Sequence, residues 1–393
     1  MLNKALLDPE VSKFIRDNRK KDLPSLILKG SPFHKISIQE IAIQIKGLKV
    51  AEKKFPEFYK NPNILYPPKL NLEQTSSEIT AKYKASLVEG DNGIDLTGGM
   101  GIDTYYLSQN FKDFTYCELN SDLALVAEHN FKELKTKNIS VNSGDGLQIL
   151  KKSTRRFDWA YADPARRDDA GGKVFKFEDC EPNIPENLDL IFSKSGNLMV
   201  KSSPILDVTA GINELQHIKE VHIVAVRNEV KELLWILGKN YSDEPLIKTI
   251  NFEKDGIQEF SGDDYLTDDP TEFSLPETYL YEPNAAIMKS GLFDSIAVKT
   301  NTKKLHQHSH LYTSRDLKKF PGRIFKIIEI KQFKPSELKR YFKNKKANIT
   351  IRNFPDSVEN IRKKFKIKDG GSEYIFFTTN IYDEKIIISC KKV

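Results

Sequence analysis

The chain has 393 residues, of which 39% are hydrophobic and 30% are charged, and its formal net charge is +6. This composition is typical of a soluble globular protein. The length is too great for one ordinary hydrophobic core, so two or more domains are expected.

Residues 1–30 contain no long apolar run behind a basic start, so we expect neither a signal peptide nor a membrane span. The three cysteines stand at unrelated spacings, at Cys117, Cys180 and Cys390. They form neither a disulfide framework nor a zinc-binding pattern, and they indicate a reducing, cytoplasmic setting.

Residues 1–70 are predicted to be helical, because apolar residues recur at helical spacing in VSKFIRDN and in IQEIAIQIKGLKVAEKKF. Proline-rich turns close this segment at Asn61-Pro62 and Pro67-Pro68. It carries 14 Lys and Arg against 7 Asp and Glu, an excess that serves either contact with a polyanion or simple solubility. Beyond it, Ser76 or Ser77 can cap a helix that runs to about Val88.

The stretch Gly93 to Leu107, GIDLTGGMGIDTYYL, is predicted to form a buried strand, a glycine turn and a helix that begins at about Ile102. Asp95 lies near the end of the strand, and Asp103 in the first helical turn complements the helix dipole. The glycines that allow close backbone approach to a ligand are Gly98, Gly99 and Gly101. Such a turn also joins strands to helices for steric reasons, so a nucleotide site and a packing role both stay open.

Three further predicted strands also end in acidic residues. The strands and their acids are Phe114–Cys117 with Glu118, Ile139–Asn142 with Asp145, and the strand from Phe157 with Asp163. Because the carboxyl ends of parallel strands share one edge of a sheet, where ligands bind, we expect these acids to converge. Glu118 is suited to bind both ribose hydroxyls of an adenosyl group, and Asp145 is suited to accept the adenine amine.

This succession resembles the class I S-adenosylmethionine-dependent methyltransferases, from near Leu72 to near Phe252. DLTGGMG matches the glycine motif of that family, and the acids after the second and third strands match its ribose and adenine acids. The resemblance implies a Rossmann-like α/β sheet and S-adenosyl-L-methionine as cofactor, with Gln74 and Thr75 beside the methionine end. The other cofactor-binding residues that it implies are Asp95, Thr97, Gly98, Gly99, Gly101, Asp103, Glu118, Leu119, Asp145 and Gly146.

Asp163-Pro164 matches the start of the family's catalytic-loop motif, which makes these two residues the predicted catalytic pair. Members that methylate amino groups of nucleic acids carry Asp/Asn-Pro-Pro-aromatic there, which holds a flipped base. Here Ala165 and Arg166 replace the second proline and the aromatic residue. Asp-Pro-Ala-Arg is more similar to the loop of uridine C5-methylating rRNA enzymes, whose next strand ends in a catalytic cysteine. This chain has Ser202-Ser203 at that place, which cannot form the covalent adduct, so we discount C5 chemistry and leave the acceptor atom open.

Arg166 and Arg167 are adjacent on the loop that is expected to face the substrate. They are predicted either to hold target phosphates or to form surface ion pairs with Asp168 or Asp169. The sheet is then expected to continue through two strands, one helix and a final hairpin with a reversed last strand. These elements are Asn197–Lys201, Val221–Arg227, the helix Glu229–Leu237, and the hairpin IKTINF and IQEFSG joined at Lys254-Asp255-Gly256.

An acidic, proline-punctuated stretch, GDDYLTDDPTEFSLPE, marks a domain boundary near residue 275. In the small unit that follows, Glu282-Pro283-Asn284 resembles the catalytic loop but has no parallel strand before it, so it is predicted to be a turn. His306, His308 and His310 alternate and are positioned to share one face of a strand. No cysteine or carboxylate accompanies them, so we expect no metal site.

From Gly322 to Val393 the pattern is strand, helix, strand, helix and two paired strands. Residues 301–393 carry 23 Lys and Arg against 9 Asp and Glu, whereas residues 71–300 carry 24 against 39. This asymmetry favours a polyanion bound outside an acidic pocket, with a solvated basic face as the alternative. The order of domains resembles the ferredoxin-like plus THUMP pair of RNA-modifying enzymes. The chain as a whole therefore resembles the bacterial THUMP-like-domain class I methyltransferases.

The predicted organisation is a helical segment (1–70), a class I methyltransferase domain (71–275), a ferredoxin-like unit (276–320) and a basic THUMP-like domain (321–393). The resemblance implies a cytoplasmic methyltransferase acting on a nucleobase of structured RNA, either tRNA or rRNA, without a metal or a membrane. Two alternatives stay open. In the first, the chain is a cofactor-binding, RNA-binding module without turnover. In the second, it is a methyltransferase that acts on a small molecule or a protein.

Overall fold

A computed structural model describes residues 3–67, 75–166, 176–262, 271–343 and 345–393. The chain forms two compact units. The first comprises residues 1–218 and 235–242, and the second comprises residues 219–234 and 243–393.

The first unit begins with helices, as the apolar spacing predicts. They are α1 (Pro9–Asn18), α2 (Leu23–Leu28), α3 (Ile38–Lys54) and α4 (Pro56–Lys60), with a short 3₁₀ turn at Lys4–Leu7. In α3, a reciprocal capping box between Ser37 and Glu40 satisfies the first backbone amides. Its apolar face, including the fully buried Ile41 and Ile45, packs into the main core of this unit.

Helices and strands then alternate through the rest of the first unit. The elements are α5 (Glu78–Ala85), β1 (Gly90–Asp95), α6 (Ile102–Leu107), β2 (Phe111–Glu118), α7 (Ser121–Glu133), β3 (Ile139–Ser143), α8 (Gly146–Lys152), β4 (Phe157–Ala162), β5 (Ala165–Arg166), β6 (Cys180–Glu181), α9 (Ile184–Lys194), β7 (Ser195–Ser202) and α10 (Val208–Glu214). Ser77 caps α5, which is one of the two residues predicted for that role.

Four strand pairings of the first unit fix the edge at which the site forms. The strand order β7-β4-β1-β2-β3 is parallel throughout. Asp95 at the end of β1 lies opposite Tyr116 of β2 and Tyr161 of β4, and Glu118 at the end of β2 lies opposite Ser143 of β3. The carboxyl ends of β1, β2, β3 and β4 therefore share one edge, and the chain order reverses between β1 and β4. Ligands of open α/β sheets bind at such a switch point.

The segment predicted as the helix Glu229–Leu237 is a strand, so that prediction is wrong. After β8 (Ile218–Val226), Arg227 and Asn228 both adopt positive φ angles (52° and 60°), and β9 (Glu229–Gly238) returns as the second arm of a hairpin. Residues 232–238 of β9 are all buried. A continuous apolar run of this kind has no periodicity that separates a buried strand from a buried helix. β9 is therefore reversed relative to β8.

In the second unit, the strand order β11-β10-β8 includes the predicted hairpin. β10 (Leu246–Glu253) is parallel to β8 and antiparallel to β11 (Gly256–Gly262). Lys254-Asp255 and the positive φ of Gly256 (143°) make the turn, which confirms the hairpin.

The second unit also contains a seven-stranded sheet in the order β13-β14-β12-β15-β18-β17-β16. Its elements are β12 (Tyr279–Pro283), α11 (Ala285–Ser290), α12 (Phe293–Thr300), β13 (Lys303–Lys304), β14 (Tyr312–Ser314), β15 (Gly322–Gln332), α13 (Pro335–Tyr341), β16 (Asn348–Ile351), α14 (Val358–Phe365), β17 (Glu373–Thr379) and β18 (Lys385–Lys392). The predicted order of elements from Gly322 onward is confirmed. No helix among the described residues has the length and apolar character needed to span a membrane.

Candidate functional site

The glycine turn after β1 is closed by its own backbone and by β2. The amide of Gly98 donates to the Cys117 carbonyl (2.7 Å), and the amide of Gly101 donates to the Gly98 carbonyl (2.9 Å). A Cβ at Gly98 would lie 2.1 Å from the Tyr116 ring. Gly99, with a φ of 57°, has nothing closer to such a Cβ than 3.8 Å. Packing therefore requires glycine at position 98, whereas Gly99 has free space beside its Cα and its carbonyl accepts from Tyr116 OH (2.7 Å).

Glu118 is held against this turn by main-chain donors. Its Oε2 accepts from the amide of Gly99 (2.9 Å), and its Oε1 accepts from the amide of Asn120 (2.8 Å). An ionised carboxylate has about four acceptor positions, so both oxygens keep capacity for further donors. The next residue, Leu119, is 73% exposed, so an apolar side chain lies beside a fixed acid at the tip of β2.

Asp145 caps α8, and the start of this helix packs against the end of β1. Its Oδ1 accepts from the amides of Leu147 (2.8 Å) and Gln148 (3.2 Å), while the residue itself is exposed. A Cβ at Gly146 would lie 2.2 Å from the Leu96 carbonyl oxygen, which explains the glycine there. Asp145 therefore has one oxygen, Oδ2, that takes no part in the cap.

Asp95 lies beneath the turn, with an exposed fraction of only 1%. Thr104 Oγ1 donates to its Oδ2 (2.5 Å), and the amide of Thr97 donates to its Oδ1 (2.9 Å). Burial raises the pKa of Asp95 to about 7, against the hydrogen bonds from the two threonines, and the charges of Asp103 and Asp163 raise it further. Asp95 thus stabilises the turn from its buried side through these hydrogen bonds.

Thr97 connects the glycine turn to the Asp-Pro loop. Its hydroxyl accepts from the amide of Asp163 (2.7 Å) and lies 3.4 Å from Oδ1 of Asp95. One side chain therefore fixes the end of β4 relative to the end of β1.

Asp103 belongs to a buried charge network. Its Oδ2 accepts from Ser76 Oγ (2.8 Å) and Tyr161 OH (2.9 Å), and Lys84 Nζ lies 3.2 Å from its Oδ1. Burial acts to raise the pKa of Asp103, but the ammonium groups of Lys84 and Lys201 outweigh burial and hold that pKa below its usual value. Of the two residues predicted just before Ser76, Thr75 is half-buried, and Gln74 lies outside the described residues.

Asp163 forms an ion pair with Lys201 near the end of β7. The Asp163 side chain is 39% exposed, whereas the side chain of Lys201 is only 10% exposed. Sequence reasoning missed Lys201. Its signal was a lysine within the buried run LMVKS, where a charge requires a partner.

The rest of the Asp-Pro loop lies partly at the surface. Pro164 is buried, whereas Ala165 and Arg166 are exposed and form a short antiparallel pairing with β6. Arg167 lies outside the described residues. The buried Ser202 accepts a hydrogen bond at Oγ from Trp235 Nε1 (2.9 Å), so its hydroxyl serves packing inside the first unit.

His306, His308 and His310 lie in a turn between β13 and β14, so their predicted placement on one strand is wrong. β13 ends at Lys304 and β14 begins at Tyr312, so the three histidines lie between the strands. Their side chains therefore do not alternate as they would along a pleated strand. The ring of His306 contacts Asp383 (2.9 Å) and Asn353 (3.0 Å), which gives it a structural role. Among the described residues, no group of three or more His, Cys, Asp and Glu side chains is arranged to hold a metal ion.

The fold and the strand-end acids define a class I methyltransferase-type architecture. A solved structure of a candidate methyltransferase from Porphyromonas gingivalis W83 is similar at 30% identity and a TM-score of 0.90, covering 100% of this chain and 99% of that chain. The profile of a ferredoxin-like domain matches residues 279–321, and that of a THUMP domain-like family matches residues 322–392. The chain belongs to the family of class I methyltransferases that carry a THUMP-like domain.

Two solved methyltransferase structures with S-adenosylhomocysteine bound are more distant. TrmK of M. capricolum is 17% identical, with a TM-score of 0.33, and the match covers 42% of this chain and 70% of that chain. SMU.1697c of Streptococcus mutans, a candidate methyltransferase, is 15% identical, with a TM-score of 0.30, and the match covers 41% and 96%. The comparison with curated proteins gave no match.

Proposed function

We propose that this protein transfers the methyl group of S-adenosyl-L-methionine to a nucleobase in structured RNA. The observation that carries the proposal is the junction between the glycine turn and Glu118, where the amide of Gly99 donates to Oε2 (2.9 Å). A fixed acid and a glycine with free space beside its Cα thus lie at the edge that contains the switch point of the parallel sheet.

The residues at this edge fit the cofactor. Both oxygens of Glu118 have acceptor capacity for a pair of ribose hydroxyls. The exposed Leu119 offers an apolar surface for the adenine ring, and Oδ2 of Asp145 offers an acceptor for its amine. When bound, the cofactor supplies an electrophilic methyl group on a sulfonium centre.

The chain's own contribution to the transfer is to hold the acceptor. Asp163, fixed by Thr97 and Lys201, and the Pro164 carbonyl are the hydrogen-bond acceptors at the end of β4. They orient the acceptor atom toward the methyl group. Rate enhancement then comes mainly from proximity and orientation, which can supply about 7–11 kcal/mol of the barrier.

RNA as the acceptor is supported by charge and by the C-terminal domain. The match to the THUMP domain-like family covers residues 322–392, within a region that carries 23 Lys and Arg against 9 Asp and Glu. Such an excess binds a phosphate backbone without reading its sequence. Arg166, exposed on the short strand β5, adds a positive side chain next to Asp163-Pro164.

The test is transfer of labelled methyl to total RNA from a strain that lacks this gene, fractionated by size. The full-length protein is compared with Asp163→Ala, and S-adenosylhomocysteine binding is measured in parallel. Label in one RNA size class, absent with the variant, supports the proposal. Cofactor binding without label in any RNA contradicts it and favours an RNA-binding module without turnover. Label in protein or small molecules instead would identify a different acceptor class.

A further inference from the structure

The ion pair between Asp163 and Lys201 places a positive charge next to the predicted catalytic acid. Lys201 lies on β7 with only a tenth of its side chain exposed, so its ammonium group is largely removed from solvent screening. Lys84, the other buried lysine of this region, pairs with Asp103 instead. Lys201 is in direct contact with Asp163.

A fixed cation at this place affects two kinds of nucleobase acceptor in opposite ways. An exocyclic amine becomes positively charged as it attacks the methyl group, and a nearby ammonium group disfavours that change. A ring nitrogen flanked by a carbonyl, as in guanine or uracil, must lose its proton, and negative charge then develops on the carbonyl oxygen. Lys201 is paired with the Asp163 carboxylate at rest, so it stabilises this second transition state by pairing with the carbonyl oxygen as Asp163 takes the proton and becomes neutral.

Resting on the function proposed above, we infer that the acceptor is a ring N–H beside a carbonyl, in guanine or uracil, with Asp163 as its proton acceptor and Lys201 as the positioning residue. The N–H proton passes to the Asp163 carboxylate, and the nitrogen electron pair forms the new bond to the methyl carbon. The carbon–sulfur bond breaks with its electron pair going to sulfur, and S-adenosylhomocysteine leaves. Asp163 then releases the proton to solvent.

The conservative substitution Asp163→Asn separates the two chemistries. An asparagine keeps a carbonyl oxygen that can accept from an amine, but it cannot take a proton. For a ring N–H acceptor, kcat falls by about 10²-fold or more, the usual contribution of a general base. A kcat within threefold of the wild-type value would overturn the inference.

Lys201→Met tests the cation, with Lys304→Met as its matched control. Lys304 is also a buried lysine paired with an aspartate, Asp294 (2.9 Å), but it lies in the second unit. Lys201→Met is expected to lower kcat by about 10²-fold with KM for RNA changed less than threefold, since the charge acts in the transition state. Lys201→Arg restores part of kcat, and Lys304→Met leaves kcat unchanged.

A structural role for Lys201 predicts a different pattern. In that case Lys201→Met and Lys304→Met lose activity in proportion to the fraction of unfolded protein. Lys201→Arg then gives no rescue of kcat per folded molecule. This pattern would overturn the inference. S-adenosylhomocysteine binding, measured by calorimetry on each full-length variant, provides the folded fraction. We expect its Kd to stay within threefold of wild type in all of them.

The methylated nucleoside gives a direct answer. RNA labelled by the wild-type protein is digested and the products are separated by mass spectrometry. Methyl on guanine N1 or uracil N3 supports the inference. Methyl on an exocyclic amine, a carbon atom or a ribose oxygen overturns it while leaving the proposed RNA methyltransferase function intact. Absence of label with cofactor bound overturns both.

Discussion

Two acid-proline sequences, Asp163-Pro164 in the first unit and Glu282-Pro283 in the second, differ in the exposure and the pairing of their carboxylates. Asp163 follows a parallel strand, is 39% exposed, and is paired with one lysine. Glu282 lies within the antiparallel strand β12, is 3% exposed, and is bound by Arg323 (2.6 Å) and Arg352 (2.9 Å). An acid followed by proline is thus partly exposed at the end of one strand and a buried structural charge within the other.

The difference comes from strand direction. The carboxyl end of a parallel strand opens at a switch point, where an acid stays accessible. In β12, the residues opposite Glu282 and Pro283 are Arg323 and Gly322 of the neighbouring antiparallel strand. Asn284 then caps α11 through a bond to the amide of Ile287 (3.1 Å). The prediction of a turn at Glu282-Pro283-Asn284 is wrong, because Glu282 and Pro283 belong to the antiparallel strand β12.

The largest effect should follow removal of the accessible acid. Asp163→Ala is expected to lower methyl transfer by about 10²–10⁴-fold, because the carboxylate that takes the proton or the hydrogen bond of the nucleobase is lost. Binding of S-adenosylhomocysteine should stay near normal. Transfer assays and calorimetry test this. Glu282→Gln is the matched control and should leave kcat per folded molecule unchanged.

The same variant leaves Lys201 buried without its carboxylate partner, which costs stability. The double variant Asp163→Ala/Lys201→Met removes that charge and should recover the thermal midpoint without recovering turnover. Recovery of turnover in the double variant, or equal loss of cofactor binding and transfer in Asp163→Ala, would make Asp163 a structural residue like Glu282.

A second accessible acid, Glu118, should affect binding more than turnover. Glu118→Ala removes an anchor for hydroxyl groups and an acceptor for Gly99, so the Kd for S-adenosylhomocysteine is expected to rise about 10–100-fold. Glu128→Ala, which removes a partly exposed acid paired with Lys132 on α7, provides the comparison. Unchanged affinity in Glu118→Ala would remove the ribose assignment.

Removal of the buried acid should reduce stability without altering chemistry. Glu282→Ala leaves Arg323 and Arg352 facing each other with no anion between them, and we expect a loss of about 3 kcal/mol. Chemical denaturation, followed by a probe in the second unit, measures this change. A loss below about 0.5 kcal/mol would show that the partly exposed arginines are rehydrated without cost.

Asp95 tests whether burial by itself distinguishes the buried carboxyl group at a strand end from the partly exposed ones. Its pKa is raised from 3.8 to about 7, so the folded state binds the proton more tightly than the unfolded state. This carboxyl therefore destabilises the fold progressively as the pH rises from about 4 to 7. Asp95→Asn should lose less stability than wild type over that interval. Parallel pH–stability curves for the two proteins would contradict the burial argument.

The pattern of elements was predictable because it depends on local sequence. Helical spacing of apolar residues predicted α3, capping serines predicted the start of α5, and an acid after each short apolar run predicted the edge formed by β1 to β4. The glycine turn and Glu118 were both predicted in this way, and the resemblance added the expected cofactor.

Only the tertiary structure decided which of these groups are accessible and what they contact. β9 is a strand because its fully buried run continues a hairpin from β8, and no periodicity in LLWIL reveals that. Lys201 meets Asp163 across 38 positions, Asp103 meets Lys84 from another helix, and Glu282 meets Arg352 across 70. Local propensity contains no information on such pairings. Burial sets both the cost of an isolated charge and the partner that it requires, and burial exists only once distant segments have packed.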